Sequence, residues 1–136
     1  MPRVKKTVAT LRLFGDGLVP GEISQLLGGS PSSAHSKGDE ISVGQGRTRS
    51  AKTGSWRLTS ADSPEADLDA QIASILGQLT PDTAIWKSLT SRYRADIFVG
   101  VFMGTSNDGL ALRPETLDML GARGLALDFD IYNTGD

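Results

Sequence analysis

The amino-acid sequence predicts an α+β protein: a four- to five-stranded, mostly antiparallel sheet with helices packed on one face. The 136 residues match the size of a single domain, taken here as residues 1–136. Segments in which apolar residues recur at every second position are interspersed with segments of helical period. A strand, a glycine turn, a helix beginning at proline and a glycine stop occur twice, before Gly28 and before Gly121. This repetition favours a ferredoxin-like variant with two strand–helix–strand halves related by a pseudo-twofold axis.

Four segments have the apolar pattern of β-strands. Lys5–Phe14 and the short Trp56–Thr59 place apolar residues on one side, as expected for strands with one buried face. Tyr93–Met103 is apolar on both sides and is therefore predicted to be a central strand. Leu125–Tyr132 alternates cleanly, and the side chains expected to point inward from it are Leu125, Leu127, Phe129 and Ile131.

Four further segments combine a helix-start signal with an apolar stripe. The starts lie at Pro20, Ser63-Pro64, Thr80-Pro81-Asp82 and Pro114. Glycines after the first and last of these stripes are expected to end the helices. The side chains predicted to face the core are Ile23, Leu26, Leu27, Leu68, Ile72, Ile75, Leu76, Leu79, Ile85, Trp86, Leu89, Leu117 and Leu120.

Residues 30–55 differ in composition from the rest of the chain. They are rich in serine, glycine and basic residues, and their only large aliphatic side chains before Trp56 are Ile41 and Val43. We predict a long polar loop, with a short strand near Ile41. Loops of this length are uncommon in compact domains unless they are functional or disordered.

Charge is distributed unevenly along the chain. Residues 1–57 contain nine Lys/Arg and four Asp/Glu, 9 − 4 = +5, whereas residues 58–136 contain five and twelve, 5 − 12 = −7. Such a split is compatible with a basic face for an anionic partner. The interpretation that we favour is that the two halves pack together and their charges interleave on one surface.

The residue types present exclude several kinds of chemistry. No cysteine is present, which rules out disulfides, thiolate zinc sites and cysteine nucleophiles. The single histidine, His35, cannot complete a three-ligand catalytic zinc site unless carboxylates supply the other ligands, and Gly44-Gln45-Gly46 is too short for a phosphate-binding loop. Asp128 and Asp130 are interpreted as surface charges that face Arg12 on the first strand. We therefore predict no catalytic residue, no metal site and no cofactor.

Hydropathy indicates the compartment. No segment approaches the roughly 18 apolar residues of a membrane span, and no apolar run follows the basic residues near Met1. A cytoplasmic protein without a membrane partner is the expectation.

Candidate binding residues cluster in and after the polar segment. Basic side chains near a tryptophan are able to hold phosphates and stack on bases. Nucleic acid is nevertheless disfavoured as a partner, because the sequence pI is about 5.3 and acidic residues dilute the basic cluster. The candidates are His35, Lys37, Asp39, Arg47, Arg49, Lys52 and Trp56, of which Trp56 is the one most compatible with a core position.

Several sequence blocks resemble an uncharacterised bacterial family, domain of unknown function 4279 (DUF4279). The most specific are Glu22-Ile-Ser-Gln-Leu-Leu-Gly28 and Leu127-Asp-Phe-Asp-Ile-Tyr132, and the likeness extends over most of the chain. The resemblance implies a bacterial origin and brings no activity with it. The residues that match family positions are His35, Lys37, Gly38, Asp39 and Trp56.

These observations favour a non-catalytic binding or protein-interaction module, of an immunity-like or regulatory kind, that docks on a protein through residues 30–55. The alternative is a small-ligand binder or an enzyme with a pocket near His35. A third possibility is a structural subunit, in which an apolar surface around Trp86 forms a homodimer contact. Both a monomer and a homodimer are compatible with the sequence.

Overall fold

The computed structural model describes residues 3–63 and 65–133. It contains four helices and seven strands in these residues, as predicted for an α+β protein. They are, in chain order, β1 (Lys6–Gly15), α1 (Pro20–Leu27), β2 (Ser33–His35), β3 (Glu40–Gly44), β4 (Arg47–Ser50), β5 (Gly54–Thr59), α2 (Leu68–Gly77), α3 (Thr83–Arg92), β6 (Arg94–Met103), α4 (Pro114–Arg123) and β7 (Ala126–Asn133).

Five strands form the main sheet, in the order β2-β5-β1-β6-β7. All neighbours are antiparallel except β6 and β7, which run parallel. Burial alternates along β1, where Ala9, Leu11 and Leu13 are completely buried and the side chains between them are half-exposed. The helices therefore cover one face of the sheet, and the other face is open, as the sequence predicted.

The predicted central strand, β6, is an interior strand of the sheet. β6 pairs with β1 on one side and β7 on the other, and Ile97 and Val99 are fully buried. The core beneath the sheet is completed mainly by α2 and α3. Their predicted inward residues are buried, apart from the partly buried Ile85: Leu68, Ile72, Ile75, Leu76, Leu79, Trp86 and Leu89.

Two helices begin later than their first turn signals indicate. Asp67 caps α2 by accepting a hydrogen bond from the backbone N–H of Ala70 at 3.1 Å, so Ser63 is not the cap. The neighbouring Pro64 lies outside the described residues. Asp82 caps α3 through Ala84 N–H at 2.9 Å. A carboxylate at this position satisfies backbone donors that the first helical turn leaves free.

Four apolar side chains predicted to be buried are exposed instead. Leu26 on α1 is 40 % exposed, and Leu117 on α4 is 50 % exposed because Thr116 occupies the buried position of that turn. On β7, Phe129 and Ile131 are exposed, although the alternation predicts them inside. β7 is the edge strand, and its final residues extend where no helix covers them.

The segment predicted as a polar loop contains three short strands instead. β2 is added to the edge of the main sheet against β5, while β3 and β4 form a separate two-stranded hairpin. Short polar strands of this kind have little apolar periodicity, since they bury almost no side chains. The expected strand near Ile41 is β3.

Both strand–helix–strand units are present, as β1-α1-β2 and β6-α4-β7. β7 is parallel to its neighbour β6, and β2 is parallel to β1 but separated from it by the antiparallel β5, so both α1 and α4 form crossover connections. The ferredoxin-like description remains a prediction.

The strand order separates the two charged halves of the chain in space. β1, β2 and β5 come from residues 6–59 and β6 and β7 from residues 94–133. On the open face, Arg12 and Arg57 therefore lie in one half, and Asp96, Asp128 and Asp130 in the other. The charges meet at the β1–β6 seam rather than interleaving throughout.

Among the described helices, none is long and apolar enough to cross a membrane.

Candidate functional site

The hairpin β3–β4 projects from the main sheet. Its tip is the turn Gly44-Gln45-Gly46, in which all three residues have positive φ angles of 92°, 54° and 71°. Glycine accommodates such angles without a steric cost, which allows a tight reversal. The ladder extends to the base through two backbone hydrogen bonds, Gly38 N–H to Ala51 O at 2.9 Å and Ala51 N–H to Asp39 O at 2.7 Å.

The hairpin presents a cluster of unpaired cations. Arg47 and Arg49 alternate along β4, so they lie on the same side, and both are exposed. Lys52 follows at the base and is also exposed. No ion pair within residues 3–63 and 65–133 involves any of the three. We call Arg47, Arg49 and Lys52 the hairpin cations. They are free to bind an external anionic group.

The base of the hairpin is fixed to the turn after β1 by Asp16. Its carboxylate accepts a hydrogen bond from Thr53, in the bend between the hairpin and β5. It also pairs with Lys37, in the turn between β2 and the hairpin, with Nζ 3.3 Å from Oδ2. The bond from Thr53, followed by that from Lys37, lowers the pKa of Asp16 below its usual range. Lys37 is therefore a structural cation, and sequence reasoning missed Asp16.

Asp39 also has a structural role. Its Oδ2 accepts a hydrogen bond from the backbone N–H of Ser36 at 2.9 Å, and Asp39 N–H donates to Ser36 O at 3.1 Å. This reciprocal arrangement holds the turn that leads from β2 into the hairpin. The Asp39 carboxylate is therefore engaged in this turn and is not a counter-ion of the hairpin cations.

His35 is the last residue of β2. It is half-exposed and lies opposite Ser55 of β5 on the open face of the sheet. Its strand neighbours place it on a flat surface rather than in a cavity. His35 and the hairpin cations are on different sheets, joined through the turn at Asp39.

Trp56 belongs to the core. It is completely buried on the helix-covered face, and its indole Nε1–H donates to Ser24 Oγ at 3.0 Å on α1. A buried indole with its donor satisfied packs the sheet against the helix. Trp56 is therefore not available to stack on a ligand.

The open face also carries an aromatic and charged network that the sequence signalled only in part. The Arg12 guanidinium lies over the rings of Phe98 and Phe14, 4.3 and 5.2 Å from their centroids. It contacts Asp96 and, at 3.5 Å, Asp128, so the predicted contact between Arg12 and Asp128 is present. The alternation of β1 places Arg12 on its open side, but the pairing partner on β6 depends on register.

A cleft of roughly 570 Å³ lies elsewhere, beside the first turns of α2 and α4. Arg3, Asp67, Asp69 and Arg113 contribute to its wall, and His35 does not. Asp69 joins the two helices by accepting hydrogen bonds from Thr116 Oγ1 at 2.6 Å and Arg113 N–H at 3.1 Å. Its acceptor oxygens are thus engaged within the fold.

Burial acts to raise the pKa of Asp69. Hydrogen bonds from Thr116 and the Arg113 backbone lower it, and so does the Arg113 charge. Together they outweigh burial, so the pKa of Asp69 lies below its usual range. Among the residues that the structure describes, no group of three His, Asp or Glu side chains is placed to hold a metal ion.

A known protein family matches this chain. The family model "Domain of unknown function (DUF4279)" matches residues 5–134, nearly the whole chain. The chain belongs to the DUF4279 family. No curated protein and no solved structure matches it at a significant level. Membership confirms the resemblance seen in the sequence and assigns no activity.

In this DUF4279 chain the predicted site residues occupy four places. Arg47, Arg49 and Lys52 lie together on the hairpin, Lys37 and Asp39 build its base, and His35 lies on the open sheet face. Trp56 is separated from all of them by the sheet itself. The hairpin cations are the part of the predicted set that the fold leaves available for a partner.

Proposed function

We propose that this DUF4279 protein is a non-catalytic binding module that docks on an acidic protein surface through its β3–β4 hairpin. The observation that carries the proposal is the exposure of every β4 side chain on a hairpin that pairs with no other strand of the described chain. A hairpin of this kind contributes little to the core. Its sequence is therefore free to serve recognition.

The geometry of the hairpin base supports a preorganised binding element. Asp16 holds both sides of the base through Lys37 and Thr53, and backbone bonds at Asp39 and Ala51 continue the ladder into the hairpin. A binding element that is ordered before contact loses less conformational entropy when it docks. The proposed complex therefore relies on Arg47 and Arg49 meeting their partner in nearly their free geometry.

The charge balance favours a protein partner over a nucleic acid. The chain has a formal net charge of −2, and the half that contains α2, α3, α4, β6 and β7 is strongly acidic. A phosphate backbone long enough to contact several cations would also approach that acidic half. A compact acidic patch on a protein contacts the hairpin alone. Arginine suits such an interface, because its planar guanidinium binds carboxylates with two hydrogen bonds.

The test is a pull-down from bacterial lysate with three baits. The first bait is the wild-type chain, and the second changes Arg47, Arg49 and Lys52 to Glu. The third is a matched control that changes Lys5, Lys6 and Lys87 to Glu. Both variants reach the same formal net charge, −2 − 6 = −8, and all six residues are exposed.

The proposal predicts that one protein is captured by the wild type and by the control variant and is lost by the hairpin variant. Loss by both variants would mean that overall charge governs capture. Equal capture by all three baits would place the interface elsewhere. Either of these outcomes contradicts docking through the hairpin.

A further inference from the structure

The edge strand β7 has two exposed sides of different character. Five of the eight exposed large apolar side chains in the described residues lie after residue 109, and three of these are on β7: Phe129, Ile131 and Tyr132. Phe129 and Ile131 point to the helix side, where they are 40 % and 62 % exposed. These two apolar side chains are thus exposed on the side of the sheet that carries the helices.

The opposite side of β7 is acidic. Asp128 and Asp130 lie on the open face, in register with Phe98 and Gly100 of β6. Arg12 reaches Asp128 at 3.5 Å, but this guanidinium is already shared with the more deeply buried Asp96. Asp130 accepts a hydrogen bond from the hydroxyl of Tyr132, whose ring stacks on Phe102 at 5.0 Å. The acidic side of the strand is thus held in a fixed orientation.

The outer edge of β7 also has main-chain groups without a strand partner. β7 ends the sheet and pairs only with β6 among the described strands. An edge strand exposes alternate N–H and C=O groups that are able to pair with another extended segment. β7 is eight residues long and has no proline within it, so its edge is long enough to be a template.

We propose that β7 binds an extended segment of another protein, in which basic residues alternate with apolar ones, as a sixth strand of the sheet. The apolar side chains of that segment cover Phe129 and Ile131, while its Lys or Arg side chains lie opposite Asp128 and Asp130. Cross-strand pairs of opposite charge and of apolar side chains stabilise such an addition. This surface lies at the opposite end of the sheet order from β2 and is independent of the hairpin.

Charge argues against a second copy of the chain as the occupant. In a twofold pairing of two β7 strands, the open face of one strand continues into the open face of the other. Asp128 and Asp130 of both copies would then lie on adjacent strands, where like charges destabilise the pairing. A basic segment instead neutralises them.

The test uses an eight-residue peptide of alternating lysine and valine, equal in length to β7. Binding to the full chain is measured by titration calorimetry, and its position by amide chemical shifts in NMR. One control peptide has the same composition with the lysines and valines in two blocks, a second replaces lysine by glutamate, and a third carries N-methyl groups at alternate amides. The expected result is saturable binding of the first peptide alone, with the largest shifts in residues 126–133.

Variants of the chain locate the interaction. Asp130→Lys and Ile131→Lys change exposed side chains and are expected to weaken peptide binding at least tenfold, while Glu22→Lys on α1 is the control that matches the charge change of Asp130→Lys. Asp130→Asn, which is milder for folding, is expected to give a smaller loss in the same direction. Any one of three results would overturn the proposal. They are equal binding of the block or N-methylated peptide, chemical-shift changes outside β7, and dimerisation through β7 in sedimentation. None of these outcomes depends on the hairpin.

Discussion

Arg12 and Asp96 face each other across β1 and β6 and are joined by two parallel hydrogen bonds. Arg12 Nε donates to Oδ1 at 2.8 Å and Nη2 donates to Oδ2 at 2.7 Å. The side chains are only 15 % and 6 % exposed, although they lie on the face of the sheet without helices. The hydrogen bond to Asp96 raises the pKa of Arg12 against the effect of burial. This pair joins the basic half of the sheet to its acidic half.

Removing one member of the pair is predicted to destabilise the fold strongly. Arg12→Leu leaves the Asp96 carboxylate buried without its partner, and we expect a loss of about 3 kcal/mol in the free energy of unfolding. The double change of Arg12 and Asp96 to Leu is expected to recover part of this loss, because no charge then remains buried. Urea unfolding of the two variants and the wild type measures both effects. A cost below about 1 kcal/mol for Arg12→Leu would contradict the structural role of the pair.

Asp69 is predicted to make stability depend on acid. Its pKa is lower in the folded chain than in the unfolded chain, so its contribution is present above the unfolded pKa, near 4. The contribution is lost as the pH falls through the folded pKa. Asp69→Asn is expected to cost about 1–2 kcal/mol at pH 7. Urea unfolding at pH 7 and pH 3 should show this difference between variant and wild type shrinking at the lower pH; a difference independent of pH would refute the assignment.

Two glycine substitutions are predicted to have opposite effects. A Cβ at Gly54 would lie 2.7 Å from the carbonyl oxygen of Gly15 and 2.9 Å from Leu18, so Gly54→Ala must push apart β1 and β5. We expect a loss of about 2 kcal/mol. A Cβ at Gly77, at the end of α2, meets nothing within 4 Å. Gly77→Ala should therefore gain about 0.5 kcal/mol by reducing the freedom of the unfolded chain. Thermal unfolding followed by circular dichroism compares the two, and a loss in both would show that the effect is not local.

The hairpin is predicted to be dispensable for folding. Replacing Glu40–Ser50 by a short glycine–serine linker removes β3 and β4, which pair only with each other, and retains β2 on the main sheet. We expect the variant to unfold cooperatively, within about 1 kcal/mol of the wild type. A deletion of the wider range Ala34–Thr53 would not test this prediction, because it also removes two of the three residues of β2 from the main sheet. Loss of the cooperative transition in the shorter deletion would mean that the hairpin supports the core.

Much of the fold could be predicted because the core strands and helices carry strong apolar periodicity. β1 and β6 were predicted nearly to their observed bounds, whereas α2 begins later than its predicted start at Ser63-Pro64. All three bury a stripe of the predicted residues. β2 and β4 were missed, and β3 was predicted only as a short strand near Ile41, since strands of three to five mostly polar residues leave little apolar signal. Their formation depends instead on backbone pairing and on the turn at Gln45.

The candidate site was predicted by composition rather than by geometry. Arg47 and Arg49 stand out in the sequence because residues 30–55 are rich in basic residues, and the hairpin leaves both of them exposed. The role of Lys37 could not be inferred, because its partner Asp16 is distant in sequence and meets it only when β2 joins the sheet. Phe129 and Ile131 lie on the predicted side of β7 but are exposed, because alternation assigns a side of the strand and does not say how far the helices cover it.

The measurement that tests the binding role most directly is hydrogen–deuterium exchange of the wild-type chain with and without the captured partner. If the hairpin docks on the partner, amides in residues 38–52 become protected in the complex. This protection weakens as the salt concentration is raised, because the contact is between exposed charges. Residues 126–133 should exchange at the same rate with and without that partner. Protection confined to another surface, or a complex that forms without any change in residues 38–52, would contradict docking through the hairpin.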